Sequence, residues 1–217
     1  MNPTCRDCGG PVKQRVIAFG GVEKTLTPDR CVRCREAVTA RVDAQSRSAE
    51  AEIRADAANV PAGLVVFPDF EGQVGAVYRT VTEIPLVWVT GGPYSGKTTL
   101  AASVVRRAIE EGLSARYEHA SSIVDKERWK DKGIWLSVQV LSVDGLFSDR
   151  SKLPAWLLDE IDHLLQRRRD EGLHTLITST KSIRGVDAMA DADLALRITA
   201  MAGSRGVLTL PERVGAR

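Results

Sequence analysis

No apolar run in the 217 residues approaches the roughly 20 positions needed to cross a bilayer. The opening stretch, MNPTCRDCGG, has no apolar core of the kind a secretory signal needs. The expected location is the cytoplasm, with no membrane partner. Net charge is scarce too: 30 Lys and Arg stand against 28 Asp and Glu, a formal +2. That balance excludes a globally basic nucleic-acid binder, so any basic surface has to be local. Internal repeats and low-complexity segments are missing. What remains is 43% hydrophobic and 27% charged, the composition of a soluble globular chain with room for one medium domain and a small module.

Cysteine is restricted to two pairs, Cys5-Arg-Asp-Cys8 and Cys31-Val-Arg-Cys34. A reducing cytoplasm disfavours disulfides. Paired CxxC turns instead present four thiolates to one tetrahedral zinc. Gly9 and Gly10 follow the first pair, where a tight turn calls for positive φ. KQRVIAF and VEKTL flank Gly20-Gly21 and predict a hairpin. Residues 1–36 are therefore expected to be a zinc-ribbon module. About 40 residues bury too little core to fold alone, and a structural zinc supplies folding energy on the order of 10 kcal/mol.

Residues 37–60 are rich in Ala, Arg and Glu, with Val38, Val42, Ala49 and Ile53 in a narrow stripe at helical spacing. They predict a mostly solvated linker helix. Residues 61–84 form a mixed lead-in segment to the next domain, which spans 61–217. From PLVWVT onward, strands and helices alternate. Strands are expected at 85–90, ARYEH, SVQVLSVD, HTLITST and GVLTL. Helices are expected at 97–111, 121–132, 154–170 and 191–201. This alternation predicts an α/β fold, a parallel sheet with helices on both faces.

GGPYSGKT satisfies the phosphate-loop pattern in full, with a strand before it and a helix after it. Gly91, Gly92, Pro93, Tyr94, Ser95, Gly96, Lys97, Thr98 and Thr99 are expected to bind the nucleotide, with the backbone N–H groups of the loop surrounding phosphate oxygens at a helix N-terminus. Lys97 is expected on the β- and γ-phosphates of ATP, and the Thr98 hydroxyl on Mg²⁺.

Two stretches compete for the magnesium-binding strand. AWLLDEIDHLL offers Asp159 and Glu160 after four apolar-looking positions. Yet Trp156, Leu157, Ile161, Leu164 and Leu165 recur at three- and four-residue spacing, and no turn residue interrupts the run into QRRRDEG. That is an amphipathic helix. VQVLSVDGL offers Asp144 at the end of a β-branched run, where such sheets place a magnesium ligand. The residue after Asp144 is Gly145, so the acid that orients attacking water is missing from its usual place.

With these motifs in order, the chain resembles the DnaC/DnaI-type replicative helicase loaders of the AAA+ ATPases, with the IstB-type transposition helpers as relatives. GGPYSGKTT stands as Walker A, VLSVDGL as Walker B, and RRRDEGLHTLITST as the run into the sensor 1 strand. The resemblance implies that Thr180 stands where the family has a sensor asparagine, and that Arg197 in DADLALRITAM reaches a neighbouring subunit's γ-phosphate. It also implies a zinc module gripping a hexameric replicative helicase, contact with single-stranded DNA, and an ATP-dependent homo-oligomer. Lys126, Arg128, Lys130 and Lys132 surround Trp129, a pattern that can track a phosphate backbone and stack a base; interleaved acids favour a solvated face. Arg167, Arg168 and Arg169 are expected at the surface or a subunit interface, and His163 and His174 in structural roles. The competing readings are an adaptor that binds ATP with little hydrolysis and an IstB-like helper.

Overall fold

LVWVT, VLSVD and HTLITS are short and carry apolar residues on both alternating faces, the pattern of parallel strands covered on two sides. The computed structural model describes residues 3–19, 22–26, 28–61, 68–125, 129, 132–148, 153–187 and 192–211. At 15, 17–19, 22–24, 26, 44–49, 51–53, 68–70 and 187 it describes the backbone alone.

The elements follow in chain order. β1 (Arg15–Phe19) and β2 (Val22–Leu26) precede α1 (Val32–Ala57) and α2 (Pro68–Glu83). Then come β3 (Leu86–Thr90), α3 (Lys97–Glu110), β4 (Ala115–His119), α4 (Ala120–Ile123) and α5 (Gly133–Ser137). β5 (Val140–Asp144), α6 (Ala155–Asp170), β6 (His174–Ser179), α7 (Ile183–Asp187), α8 (Ala192–Ala202) and β7 (Val207–Thr209) complete the chain. Two compact units divide it, Met1–Glu52 and Ile53–Arg217, with the division inside α1.

In the larger unit, five strands form a sheet in the order β4-β5-β6-β3-β7, every neighbouring pair parallel. Strand alternation sorts the side chains between two layers. Leu86, Trp88, Leu141, Val143 and Ile177 join a core with Leu157, Ile161, Leu164 and Leu165 of α6 and with Leu194 and Ile198 of α8. Their strand neighbours, such as Val87, Val89 and Leu176, belong to the opposite face, against which α2 and α3 pack. The outer edge of β4 is partly covered by the chain just beyond α1. Tyr117 N–H donates to Ala58 O at 2.8 Å, and Asn59 Nδ2 donates to Tyr117 O at 3.3 Å.

Several sequence expectations need correction. The segment 61–84 contains a full helix, α2, which its Pro, Gly and Phe content concealed. Of the expected helix over 121–132, the start forms the single turn α4, while 126–128, 130 and 131 lie outside the described residues; the short α5 follows at Gly133–Ser137. The last helix is preceded by the unpredicted α7. Pro154 caps α6 rather than lying inside it.

The arginine run also divides. Arg167 and Arg169 are solvated, but Arg168 is wholly buried, because 161, 164, 165 and 168 continue one helical stripe. Its guanidinium is spread over carbonyls at the N-terminal ends of β5 and β6. Nε donates to Thr175 Oγ1 (2.9 Å), Nη1 to the carbonyls of Trp135 and Val138, and Nη2 to His174 O (2.5 Å). Burial lowers its pKa to about 10, so it remains a cation at neutral pH. Replacing it by Met leaves several buried carbonyls without a donor. Arg168→Met is expected to cost about 3 kcal/mol and to lower the melting temperature by roughly 10 °C. Arg168→Lys recovers little of that, since one ammonium cannot span the fork of acceptors. Arg167→Met is expected to melt with the wild type, which thermal unfolding followed by circular dichroism would show.

Candidate functional site

The phosphate loop leaves β3 at Thr90 and enters α3 at Lys97, so its N–H groups collect at the C-terminal edge of the sheet. Tyr94 sits in the loop with φ 60° and is 86% exposed, an unusual conformation for a bulky residue. Lys97 Nζ folds back onto the loop, donating to Gly91 O at 2.8 Å and Gly92 O at 2.7 Å, with Ser95 Oγ at 3.2 Å. Burial lowers the Lys97 pKa, opposed by the Asp144 carboxylate. Carbonyl oxygens are weaker partners for an ammonium than phosphate oxygens, so an incoming polyphosphate has a cation to take over.

Asp144 ends β5 and is 2% exposed. Three hydroxyls from three elements hold its carboxylate. Thr98 Oγ1 of α3 and the Tyr117 hydroxyl of β4 each donate to Oδ2 at 2.8 Å, and Thr178 Oγ1 of β6 donates to Oδ1 at 2.5 Å. Burial, the Asp144 charge and the hydrogen bond to it all push the Tyr117 pKa up, so the phenol remains a donor. Thr98 and Asp144 thus stand together as hard oxygen ligands of the kind Mg²⁺ prefers. Sequence reasoning missed Tyr117 and Thr178. The available signal was their polarity at inward positions of strands covered on both faces.

Gly145 begins a tight turn. Its φ is 79°, Phe147 follows with φ 58°, and Ser148 N–H closes onto Gly145 O at 3.1 Å. Gly145 N–H also donates to Thr178 Oγ1 at 2.9 Å. Any L-residue here is strained by about 1 kcal/mol or more. The missing acid is therefore a property of the turn as well as of the side chain.

Thr180 lies just past β6 and is exposed. Its N–H donates to Ser148 Oγ (3.0 Å) and its hydroxyl to Ser148 O (3.3 Å), so it ties the turn after β5 to the end of β6. Arg197 lies in the middle of α8 and pairs with Asp162 of α6 in the same chain. Asp159 and Glu160 lie on α6, as the periodicity indicated, and Glu160 pairs with Lys132 at 2.6 Å. Lys126, Arg128 and Lys130 fall outside the described residues. Trp129, the aromatic of that cluster, is 6% exposed, with its edge against Trp135 and its Nε1 on Ile123 O. It is a core residue and offers no face to a base. His174 Nδ1 contacts Ile84 O at 3.1 Å, a structural role.

In the N-terminal unit, β1 and β2 pair antiparallel from Arg15↔Leu26 to Phe19↔Val22, the expected hairpin, with Gly20 and Gly21 outside the described residues. The four sulfurs of Cys5, Cys8, Cys31 and Cys34 lie within 4.8 Å of one another. Cys8 and Cys31 are 3.7 Å apart. Zn–S bonds of about 2.3 Å at tetrahedral angles require sulfurs ~3.8 Å apart, so the cluster fits that ion. Cys34 lies in the first turn of α1, and ion pairs from Arg30 to Asp7 (2.7 Å) and Arg6 to Asp29 (3.1 Å) join the two knuckles. The Cys31 backbone amide draws the Cys5 thiol down to about 6, while the crowd of other thiols pushes Cys34 up to about 12. A cation at the centre removes that conflict by favouring all four thiolates.

Lys97→Ala is expected to reduce ATP binding at least a hundredfold, and Asp144→Ala to remove its dependence on magnesium. Glu160→Ala should change neither. Equilibrium titration with a fluorescent ATP analogue, with and without Mg²⁺, checks all three.

No family model matches the sequence, and no curated protein matches it. Solved structures do match by shape. The replication initiator DnaA, bound to AMPPCP and single-stranded DNA, is 15% identical with a TM-score of 0.54, over 69% of this chain and 48% of that one. This chain therefore spans about half the DnaA length. DnaI is 19% identical with a TM-score of 0.52, over 67% of this chain and 87% of its own. The DnaC helicase loader is 16% identical with a TM-score of 0.51, over 71% and 97%. At these identities the likeness is one of fold: the larger unit has the parallel P-loop sheet that these structures share.

Proposed function

We propose that this chain is an ATP-binding helicase loader acting at the start of DNA replication. Residues 61–217 bind ATP with magnesium and single-stranded DNA, and residues 1–36, folded on zinc, grip a hexameric replicative helicase. The observation that carries this reading is the Lys97, Thr98 and Asp144 constellation, set in a sheet whose likeness extends over most of the lengths of DnaI and DnaC. The ligands of the DnaA neighbour support ATP and single-stranded DNA as ligands here.

A second reading is favoured by one feature, the left-handed Gly145 turn. Without an acid at that point, the chain works as a nucleotide-gated adaptor that binds ATP and hydrolyses little. The two readings share a scheme in which bound ATP, with its magnesium, bridges subunits. Arg197 leaves Asp162 for a neighbour's γ-phosphate, since a guanidinium pairs well with phosphate oxygens. ADP, lacking that phosphate, releases the contact.

Three measurements test this. The purified chain is expected to carry one zinc, and Cys8→Ser to lose both the zinc and capture of the replicative helicase from the same cell while keeping ATP affinity within twofold. Metal analysis without zinc in the wild type would remove the module from the scheme. Phosphate release by the isolated chain should stay near background; turnover typical of enzymes, about 1 s⁻¹ or faster, would exclude the adaptor reading. Finally, ATP is expected to promote self-association in sedimentation runs and ADP to reverse it. Arg197→Ala should bind ATP normally and fail to associate; unchanged association of that variant would assign Arg197 to its pair with Asp162 alone.

A further inference from the structure

The space that Gly145 leaves open is faced by a residue from the adjacent strand. His119 ends β4 directly across the ladder from Asp144. It shares a sheet face with Tyr117, two residues earlier, whose hydroxyl reaches the same carboxylate. Its ring is fixed. Nδ1 accepts the Ser121 N–H at 3.2 Å and meets Ser121 Oγ at 2.7 Å, which caps α4. A neutral imidazole whose Nδ1 accepts carries its proton on Nε2. Nε2 is turned toward the turn after β5: a Cβ built on Gly145 would lie 3.6 Å from it. Among the described residues Nε2 has no hydrogen-bond partner, and the side chain is exposed. An N–H donor therefore looks into the place where the side chain of a water-orienting acid would begin.

We propose that His119 contacts the terminal phosphate of a bound nucleoside triphosphate through Nε2–H, and so makes the site prefer triphosphate to diphosphate. This rests on the reading of 91–98 and Asp144 as an ATP site. A donor matches phosphate oxygens, which only accept. It cannot take a proton from water, so it senses the phosphate without activating the nucleophile, in keeping with the glycine beside it. The capping of α4 explains Nδ1 alone and leaves the direction of Nε2 unaccounted for.

The test separates the two roles of the ring. Asparagine caps helices well but is too short to place a donor where Nε2 lies. Wild type, His119→Asn and His119→Gln are titrated calorimetrically with AMPPCP and with ADP, each with excess Mg²⁺. Wild type is expected to bind AMPPCP more tightly than ADP. His119→Asn should lose about tenfold in AMPPCP affinity, the scale of one charge-assisted hydrogen bond, with ADP affinity within twofold. His119→Gln, whose amide reaches further, should recover part of the loss. Equal weakening for both nucleotides would show a structural role and overturn the proposal, as would an unchanged ratio. Wild type binding neither nucleotide would overturn the ATP-site reading itself, and His119 with it.

Discussion

A buried carboxylate is tolerated only where its oxygens are hydrogen-bonded, and Asp144 meets that condition through Thr98, Tyr117 and Thr178. Those three residues come from α3, β4 and β6, so the position of one carboxylate depends on the register of three strands and on the seating of the helix after the phosphate loop. The same register brings His119 beside Asp144 and Thr180 beside Ser148. Parallel strands covered on both faces hold such a register firmly, because slipping by one residue would exchange the two cores. The site thus inherits its precision from the sheet.

The turn after β5 sets what chemistry that site can support. Gly145 and Phe147 both have positive φ, and the turn is tied to β6 through Thr178 and Ser148. A backbone wound this tightly favours glycine at 145, and glycine brings no base. Lys97, Thr98 and Asp144 stand together at the C-terminal edge of the sheet, while the position after the aspartate is taken up by a turn.

The N-terminal unit solves a different problem. Among its described side chains, the buried hydrophobic ones are Cys5 and Val12. Four sulfurs gathered within 4.8 Å offer a metal what a core would otherwise supply. At the far edge of the sheet from the phosphate loop, Arg168 performs a comparable service with a cation of the chain's own. Its fork joins carbonyls at the starts of β5 and β6.

Local pattern determined much of this protein. The spacing of the cysteine pairs, the phosphate loop between strand and helix, and the 3.6-residue stripe that made 155–170 a helix rather than a magnesium-binding strand are all properties of short stretches. They were legible because each follows from the geometry of one element. Tertiary structure decided the rest. The partnership of Tyr117 and Thr178 with Asp144, the burial of Arg168 in a run of three arginines, the retreat of Trp129 into the core and the pairing of Arg197 with Asp162 each join residues from different elements. Residue type misleads at such positions, because a polar or charged side chain is stable inside wherever distant parts of the chain meet to satisfy it, and only the folded sheet brings those parts together.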